Sequence, residues 1–230
     1  MSGDVSEREF VNFATVIERM LGDLTGLKVV DIGSGTGTVT RRLAQFGAEV
    51  VGVEPNPQVV AMAEAKGGSP SYVTAPAEAT GLDDDSFDLA FFSNSLHHVP
   101  DMAAGLREAC RITRPGGRVA VMEPEAPDPF FPIMRHIDDE SAVYDEAQAA
   151  LADAVSAGLL RRVGNLHYAA KYRVASLEAM LENLITVDSG RSLADKDRPT
   201  VEAAFADAFV PDEKGGYIPT WSRLDVFERV

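Results

Sequence analysis

The sequence predicts an α/β protein built on a doubly wound, mostly parallel sheet with helices on both faces. Three observations carry this. Over the first 123 residues, short β-branched runs alternate with helical stretches, the rhythm that crossovers between parallel strands produce. The run "VVDIGSGTGTVT", residues 29–40, places three glycines at alternate positions directly after an apolar segment that ends in an aspartate. "FDLAFFSN", residues 87–94, is apolar almost throughout, as a strand covered on both faces must be.

Each element follows from its own pattern. Phe10, Phe13, Ile17 and Leu21 fall on one stripe and predict a helix from about Glu7 to Leu21. "KVVDI" is a first strand, followed by the glycine turn and a helix through "TVTRRLAQFG". "AEVVGVE" is a second buried strand, and "PQVVAMAEAKG" a helix that stops at Gly67-Gly68. "SYVTA" and "FDLAFFSN" are the third and fourth strands, "MAAGLREACRIT" a helix, and "GRVAVMEP" the fifth strand. Before that strand, "RPGG" has the proline and glycine that a type II turn needs. Beyond Glu123 the rhythm changes. "APDPFFPIM" reads as a loop or helix entry, and "DDESAVYDEAQAALADAVSAGLL" as a long acidic helix. "VASLEAMLENL" predicts a sheet-covering helix, "ITVDSG" a sixth strand, "RPTVEAAFADAF" a helix and "YIPTWSRLDVFERV" a last strand. The organisation expected is one domain over 1–230. An N-terminal helix occupies 1–24 and a ligand-binding half 25–123. A helical lid insertion that faces substrate spans 124–172, and 173–230 complete the sheet.

Bulk properties narrow the partners. A net charge of −15 repels phosphate backbones, and the adjacent basic pairs are only Arg41-Arg42 and Arg161-Arg162, so nucleic acid is disfavoured. No apolar run approaches the length of a membrane span, and the polar, acidic "MSGDVSEREF" does not read as a secretory leader. The single cysteine, Cys110, lies at a helical apolar position and fits a buried thiol in a reducing cytoplasm. No His/Cys cluster has metal-ligand spacing, so no metal is expected.

The glycine turn decides between nucleotides. A dinucleotide fingerprint needs G-x-G-x-x-G/A, yet after Gly33 and Gly35 the third place falls on Thr38, and the next glycine is Gly37. Asp31 would set a carboxylate near a pyrophosphate, whereas it suits a ligand with a cationic tail. Glu54 ends the second strand, where a carboxylate can accept from both hydroxyls of a ribose. A ribose, an ammonium group and no phosphate describe S-adenosylmethionine.

At these residues the chain resembles the class I S-adenosylmethionine-dependent methyltransferases, of the small-molecule, type 11-like kind. "VVDIGSGTGTVT" is similar to their first motif and "VVGVEPNPQVV" to their ribose-binding strand. "APAEATGLDDDSFDLAFFSNSLHHVPD" and "EACRITRPGGRVAVMEPE" resemble the stretches around their fourth and fifth strands. The resemblance implies a Rossmann-like seven-stranded sheet whose last strand is antiparallel. It assigns Asp31, Gly33, Ser34, Gly35 and Gly37 to the methionine and ribose end of the cofactor, and Glu54 to the ribose hydroxyls. Pro55 and Asn56 would lie beside the adenine, Ala77 and Glu78 at its edge, and Ser93 and Asn94 near the methionine portion. Family members often carry an acidic residue just before the Ala-Glu pair. Here Pro76 stands in that place and leaves adenine recognition to the Ala77 backbone or Glu78.

The expected activity is in-line methyl transfer to a small-molecule acceptor at O, N or C, with S-adenosylhomocysteine as product. His97 and His98 follow the fourth strand, where substrate meets the methyl group in this fold, and either can serve as a base or be structural. His98 is the preferred base. Three other readings stay open: a cofactor-binding protein without methyl transfer, a tRNA methyltransferase, and an NAD-dependent oxidoreductase.

Overall fold

A computed structural model describes residues 8–187 and 191–230, the side chains of 186 and 187 excepted. Seven strands form one sheet: β1 (Lys28–Ile32), β2 (Glu49–Glu54), β3 (Ser71–Thr74), β4 (Phe87–Ser93), β5 (Thr113–Pro124), β6 (Leu160–Arg173) and β7 (Tyr217–Arg229). Their order is β3-β2-β1-β4-β5-β7-β6, with helices on both sides of the sheet. The pairs β1–β2, β2–β3, β1–β4 and β4–β5 are parallel. β7 is antiparallel to both neighbours. The Val230 N–H meets the Leu159 carbonyl while Thr220 Oγ1 reaches that of Ala170, so numbers fall along one strand as they rise along the other. The same holds for Glu125 with Trp221 and Arg229 with Thr113.

Two compact units divide the chain. The larger comprises residues 14–123, 145–166 and 223–230. It holds α1 (Phe13–Leu21) except its first residue, α2 (Thr38–Gln45), α3 (Pro57–Ala65), α4 (Met102–Ile112) and most of α6 (Ser141–Ser156). Its core joins Val30, Ile32, Val53, Phe92, Leu106, Val121, Leu151 and Phe227. The near-continuous apolar character of β1 and β4 is explained by burial, since four of the five β1 residues and five of the seven β4 residues are buried. Cys110 is buried in this core as expected, and burial pushes its thiol up to about 11, which keeps it protonated and unreactive.

The smaller unit comprises 8–13, 124–144 and 167–222 of the described residues. α5 (Phe131–Met134), α7 (Leu177–Val187) and α8 (Arg198–Ala208) contribute to it. Its own core gathers Ile133, Val174, Met180, Leu181, Val201 and Ile218. The half-buried Asp128 carboxylate receives the backbone N–H groups of Phe130, Phe131 and Trp221, and so ties the proline-rich turn to β7.

Four sequence expectations change. The N-terminal helix begins at Phe13, not near Glu7. Residues 9–11 are extended, because Ala169 on β6 offers them backbone partners: Val11 N–H to its carbonyl at 2.9 Å, and its N–H to the Glu9 carbonyl at 2.9 Å. The insertion is helical only as far as Ser156, since Leu160–Arg173 form β6. The sixth strand is therefore β6 and not "ITVDSG": residues 185–187 end α7, and residues 188–190 lie outside the described residues. The "RPGG" turn interrupts β5 instead of preceding it. Phe87 faces Thr113 but Leu89 faces Arg118, so residues 114–117 loop out, with Gly116 at φ 73° as the turn requires.

Candidate functional site

The expected cofactor residues all lie in the larger unit, most of them at or just beyond the carboxyl ends of β1, β2, β3 and β4. That edge is where doubly wound sheets bind ligands. The glycine loop follows β1 and is locked to the second strand, for the N–H groups of Gly33 and Ser34 both donate to the Val53 carbonyl, at 2.8 and 2.9 Å. Gly37 takes a left-handed φ of 75° and leads into α2. A Cβ there would also collide with the Tyr72 hydroxyl and the end of Arg41, so both side chains would have to shift. Gly35, at φ 52°, is different. A Cβ would meet nothing within 4 Å, so its backbone faces open space that a ligand can enter.

Asp31 is almost fully buried beneath this loop. Its Oδ2 accepts from Thr40 Oγ1 at 2.6 Å, whereas Oδ1 is buried without a partner, as is Ser34 Oγ. Burial raises the Asp31 carboxyl from 3.8 to about 6, with the Thr40 hydrogen bond opposing it. Glu54 ends β2. Its two oxygens accept separately, Oε2 from Gly35 N–H at 3.1 Å and Oε1 from Asn56 N–H at 3.0 Å. Each oxygen keeps a lone pair for a further donor. A buried carboxylate oxygen without a partner, an open glycine backbone and a pre-set strand-end carboxylate together suit a cationic nucleoside.

The remaining expected residues divide by role. Pro55 and Asn56 open α3, where the Asn56 side chain caps the helix by accepting from Gln58 N–H at 3.0 Å. Ala77 is packed into the core of the unit, which leaves its backbone as the group able to meet a ligand. Glu78 Oε1 accepts from Asp101 N–H at 3.2 Å. Ser93 ends β4, and Asn94 holds a left-handed φ of 51° while its N–H donates to the Met122 carbonyl at 2.7 Å. His97 and His98 lie together in a 3-10 turn, Leu96–His98, with ring centroids 4.0 Å apart. They differ in environment: His97 is buried with Nδ1 on the Glu123 carboxylate, whereas His98 is exposed.

Several supports were invisible in the sequence. Arg41 reaches back to the Thr36 carbonyl at 2.9 Å and the Tyr72 hydroxyl at 3.2 Å, which braces the glycine loop from α2. Ser95 Oγ donates to the Ile32 carbonyl at 2.6 Å and joins the ends of β4 and β1. Glu108 on α4 organises the segment after β3. It accepts from Thr80 N–H and Oγ1 at 2.8 and 2.6 Å, and from Arg111 Nε and Nη2 at 2.7 Å each. Glu123 ends an apolar run with a carboxylate just as Asp31 and Glu54 do, and that shared pattern is the signal that could have found it.

The Arg111 hydrogen bonds, helped by Thr80, hold the Glu108 carboxyl down at about 2 against its ordinary 4.5. A depressed carboxyl stabilises the fold above its unfolded value, and that stabilisation is lost as pH falls from about 4.5 toward 2. Glu108→Gln is therefore expected to lower stability by about 1–3 kcal/mol at pH 7. The gap from the parent should narrow in chemical denaturation near pH 3. An equal gap at both pH values would exclude the carboxylate as its source.

This strand order, with an acidic residue and glycine loop after β1 and a carboxylate ending β2, defines the class I S-adenosylmethionine-dependent methyltransferase fold. Residues 30–121 match the family model described as a methyltransferase domain. The demethylmenaquinone methyltransferase of Beutenbergia cavernae is 31% identical over 147 residues, 58% of this chain and 61% of that protein. The ubiquinone biosynthesis O-methyltransferase of Methylobacterium sp. (strain 4-46) is 39% identical over 98 residues, 41% of this chain and 39% of that one. The chain thus spans less than two thirds of the length of either relative. The solved YcgJ protein of Bacillus subtilis superposes with a TM-score of 0.61 at 19% identity, covering 94% of this chain and 97% of that one. An S-adenosylmethionine dependent methyltransferase of Mesorhizobium loti gives 0.56 at 19%, covering 94% and 96%. The cofactor of the family is S-adenosylmethionine. Among the described residues no helix is long and apolar enough to cross a membrane.

Proposed function

We propose that the chain transfers a methyl group from S-adenosylmethionine to a small organic acceptor, with an aromatic ring of the quinone-precursor type as the first class to test. The observation that carries this is the buried, unpartnered Asp31 oxygen under an open glycine loop, with Glu54 held at the end of β2. Bound there, S-adenosylmethionine supplies an activated methyl group on a sulfonium. Asp31 provides the negative charge that favours the cationic methionine end, and Glu54 accepts from the ribose diol. Gly35 lets the backbone come close, with Gly33 and Gly37 setting the turn and Ser34 beside them at the methionine and ribose end. The adenine falls beside Pro55 and Asn56, with the Ala77 backbone and Glu78 at its edge, and Ser93 and Asn94 border the methionine portion. A compact nucleoside with no phosphate also explains why an oxidoreductase reading is set aside.

His98 is the base in this reading, removing a proton from a hydroxyl or acidic ring carbon as the methyl group arrives. His97, buried on Glu123, serves structure. The acceptor class is supported by the names of the two relatives, which concern quinones. Their similarity covers part of the chain, and the family segment stops at residue 121, so residues after it are the place for acceptor choice.

The test is incubation with isotope-labelled methyl donor and a panel of hydroxylated quinols, other small phenols and tRNA. Label and S-adenosylhomocysteine should appear with a small aromatic and not with tRNA. Transfer to tRNA alone would reverse the substrate reading, and tight cofactor binding with no transfer to any fraction of a metabolite extract would leave a binding protein. With an acceptor in hand, His98→Ala should lower kcat by about 10²-fold or more, the usual contribution of a general base, while cofactor affinity stays the same. A fully active variant would remove His98 from the mechanism.

A further inference from the structure

Glu123 is the last buried residue of β5, almost wholly shielded from solvent, and it plays no part in the cofactor contacts above. Both oxygens of its carboxylate are engaged by the turn that follows β4. Oε1 accepts from the Leu96 N–H at 2.9 Å, and Oε2 faces His97 Nδ1. Leu96 and His97 are themselves buried, and the His97 ring packs against that of His98 at an interplanar angle of 50°. An ion or hydrogen-bonding group in this setting is expensive to bury unless it is fully paired, and here it is paired to a backbone donor and a side-chain donor of one short turn.

We propose that Glu123 is a positioning residue: it holds the proton of His97 on Nδ1 and pins the turn Leu96–His98, and through both it fixes how His98 is presented at the end of β4. The chemistry is that of a two-point anchor. A carboxylate offers acceptors to both donors, whereas an amide of the same shape accepts one and turns an N–H toward the other. The inference rests on the proposed role of His98, but its central claim concerns a tautomer and is read without any reaction.

The experiment uses the full chain with Glu123→Gln, Glu123→Asp and His98→Ala, alone and combined. Nitrogen-15 NMR of the histidines should find His97 protonated on Nδ1 in the parent and in Glu123→Asp, which keeps a carboxylate. In Glu123→Gln the proton should move to Nε2. In turnover, Glu123→Gln should lower kcat by about 10- to 100-fold, the scale of a slight misplacement of a reacting group, with cofactor affinity unchanged within about twofold. Glu123→Asp should recover most of that loss, and it also carries the test should the glutamine variant fail to fold. Introduced into His98→Ala, Glu123→Gln should change kcat by less than about twofold, because residues that act through one another are non-additive. A His97 proton on Nε2 in the parent would overturn the proposal, and so would a full additional loss in the His98→Ala background. If no acceptor is ever methylated, the functional reading fails while the NMR result still decides the anchor.

Discussion

Glu54→Ala is expected to weaken S-adenosylmethionine binding by about 10- to 100-fold, because hydrogen bonds to a charged group are worth roughly 1.5–3 kcal/mol. Two losses combine in this variant. The ribose loses its acceptor, and the N–H groups of Gly35 and Asn56 lose the carboxylate that holds them in place. Titration calorimetry with S-adenosylmethionine and S-adenosylhomocysteine checks the value. Both ligands should weaken alike, since both carry the ribose. Glu54→Gln should fall between, because one amide oxygen cannot serve both backbone donors and a sugar diol. An alanine variant with parental affinity would take Glu54 out of the ribose site.

The second large effect concerns Asp31 and pH. Burial lifts its carboxyl to about 6, above the ordinary 3.8. For a raised acid, the contribution to folding is complete below 3.8 and is lost as pH rises through about 6, a difference on the order of 3 kcal/mol. Above pH 6 the ligand-free chain therefore holds an ionised carboxylate with one oxygen unpartnered. A cationic ligand relieves that cost. Cofactor affinity is expected to rise between pH 5 and pH 8 by up to about tenfold, the gain in ionised Asp31 for a carboxyl near 6, and the rise should vanish in Asp31→Asn. The same variant should bind weakly yet melt a few degrees higher than the parent at pH 8, given roughly 2–4 °C per kcal/mol for a chain of this size. Flat affinity across that range in the parent would show that Asp31 does not meet the charge of the ligand.

The fold of the first 123 residues was legible because its signals are local. Asp31, the glycines and Glu54 stand at the ends of short strands whose apolar runs mark their limits, and the structure brings them to one edge of the sheet. The second half was harder for physical reasons. β6 is an edge strand that alternates only weakly between buried and exposed positions, so "LRRVGNLHYAAKYR" carries little of the two-residue period. "ITV" has β-branched content, yet its backbone continues the helix before it to the end of α7. Phe10 fell on a helical stripe by spacing alone, whereas in the fold it meets Tyr217 edge-on with centroids 5.8 Å apart. Glu123 and Glu108 escaped notice because their partners, Leu96, His97, Thr80 and Arg111, are brought to them by strand order or helix packing.

The pairing of residues 9–11 with Ala169 bears on handling of the protein as much as on its shape. β6 is the last strand of its sheet, and its outer rim would otherwise display open amide and carbonyl groups to any passing chain. Residues 9–11 thus act as a selvage at Ala169, keeping that stretch of the weave from catching on its neighbours. Trimming them should promote self-association before it impairs ligand binding, a difference that light scattering and calorimetry on the same sample would reveal.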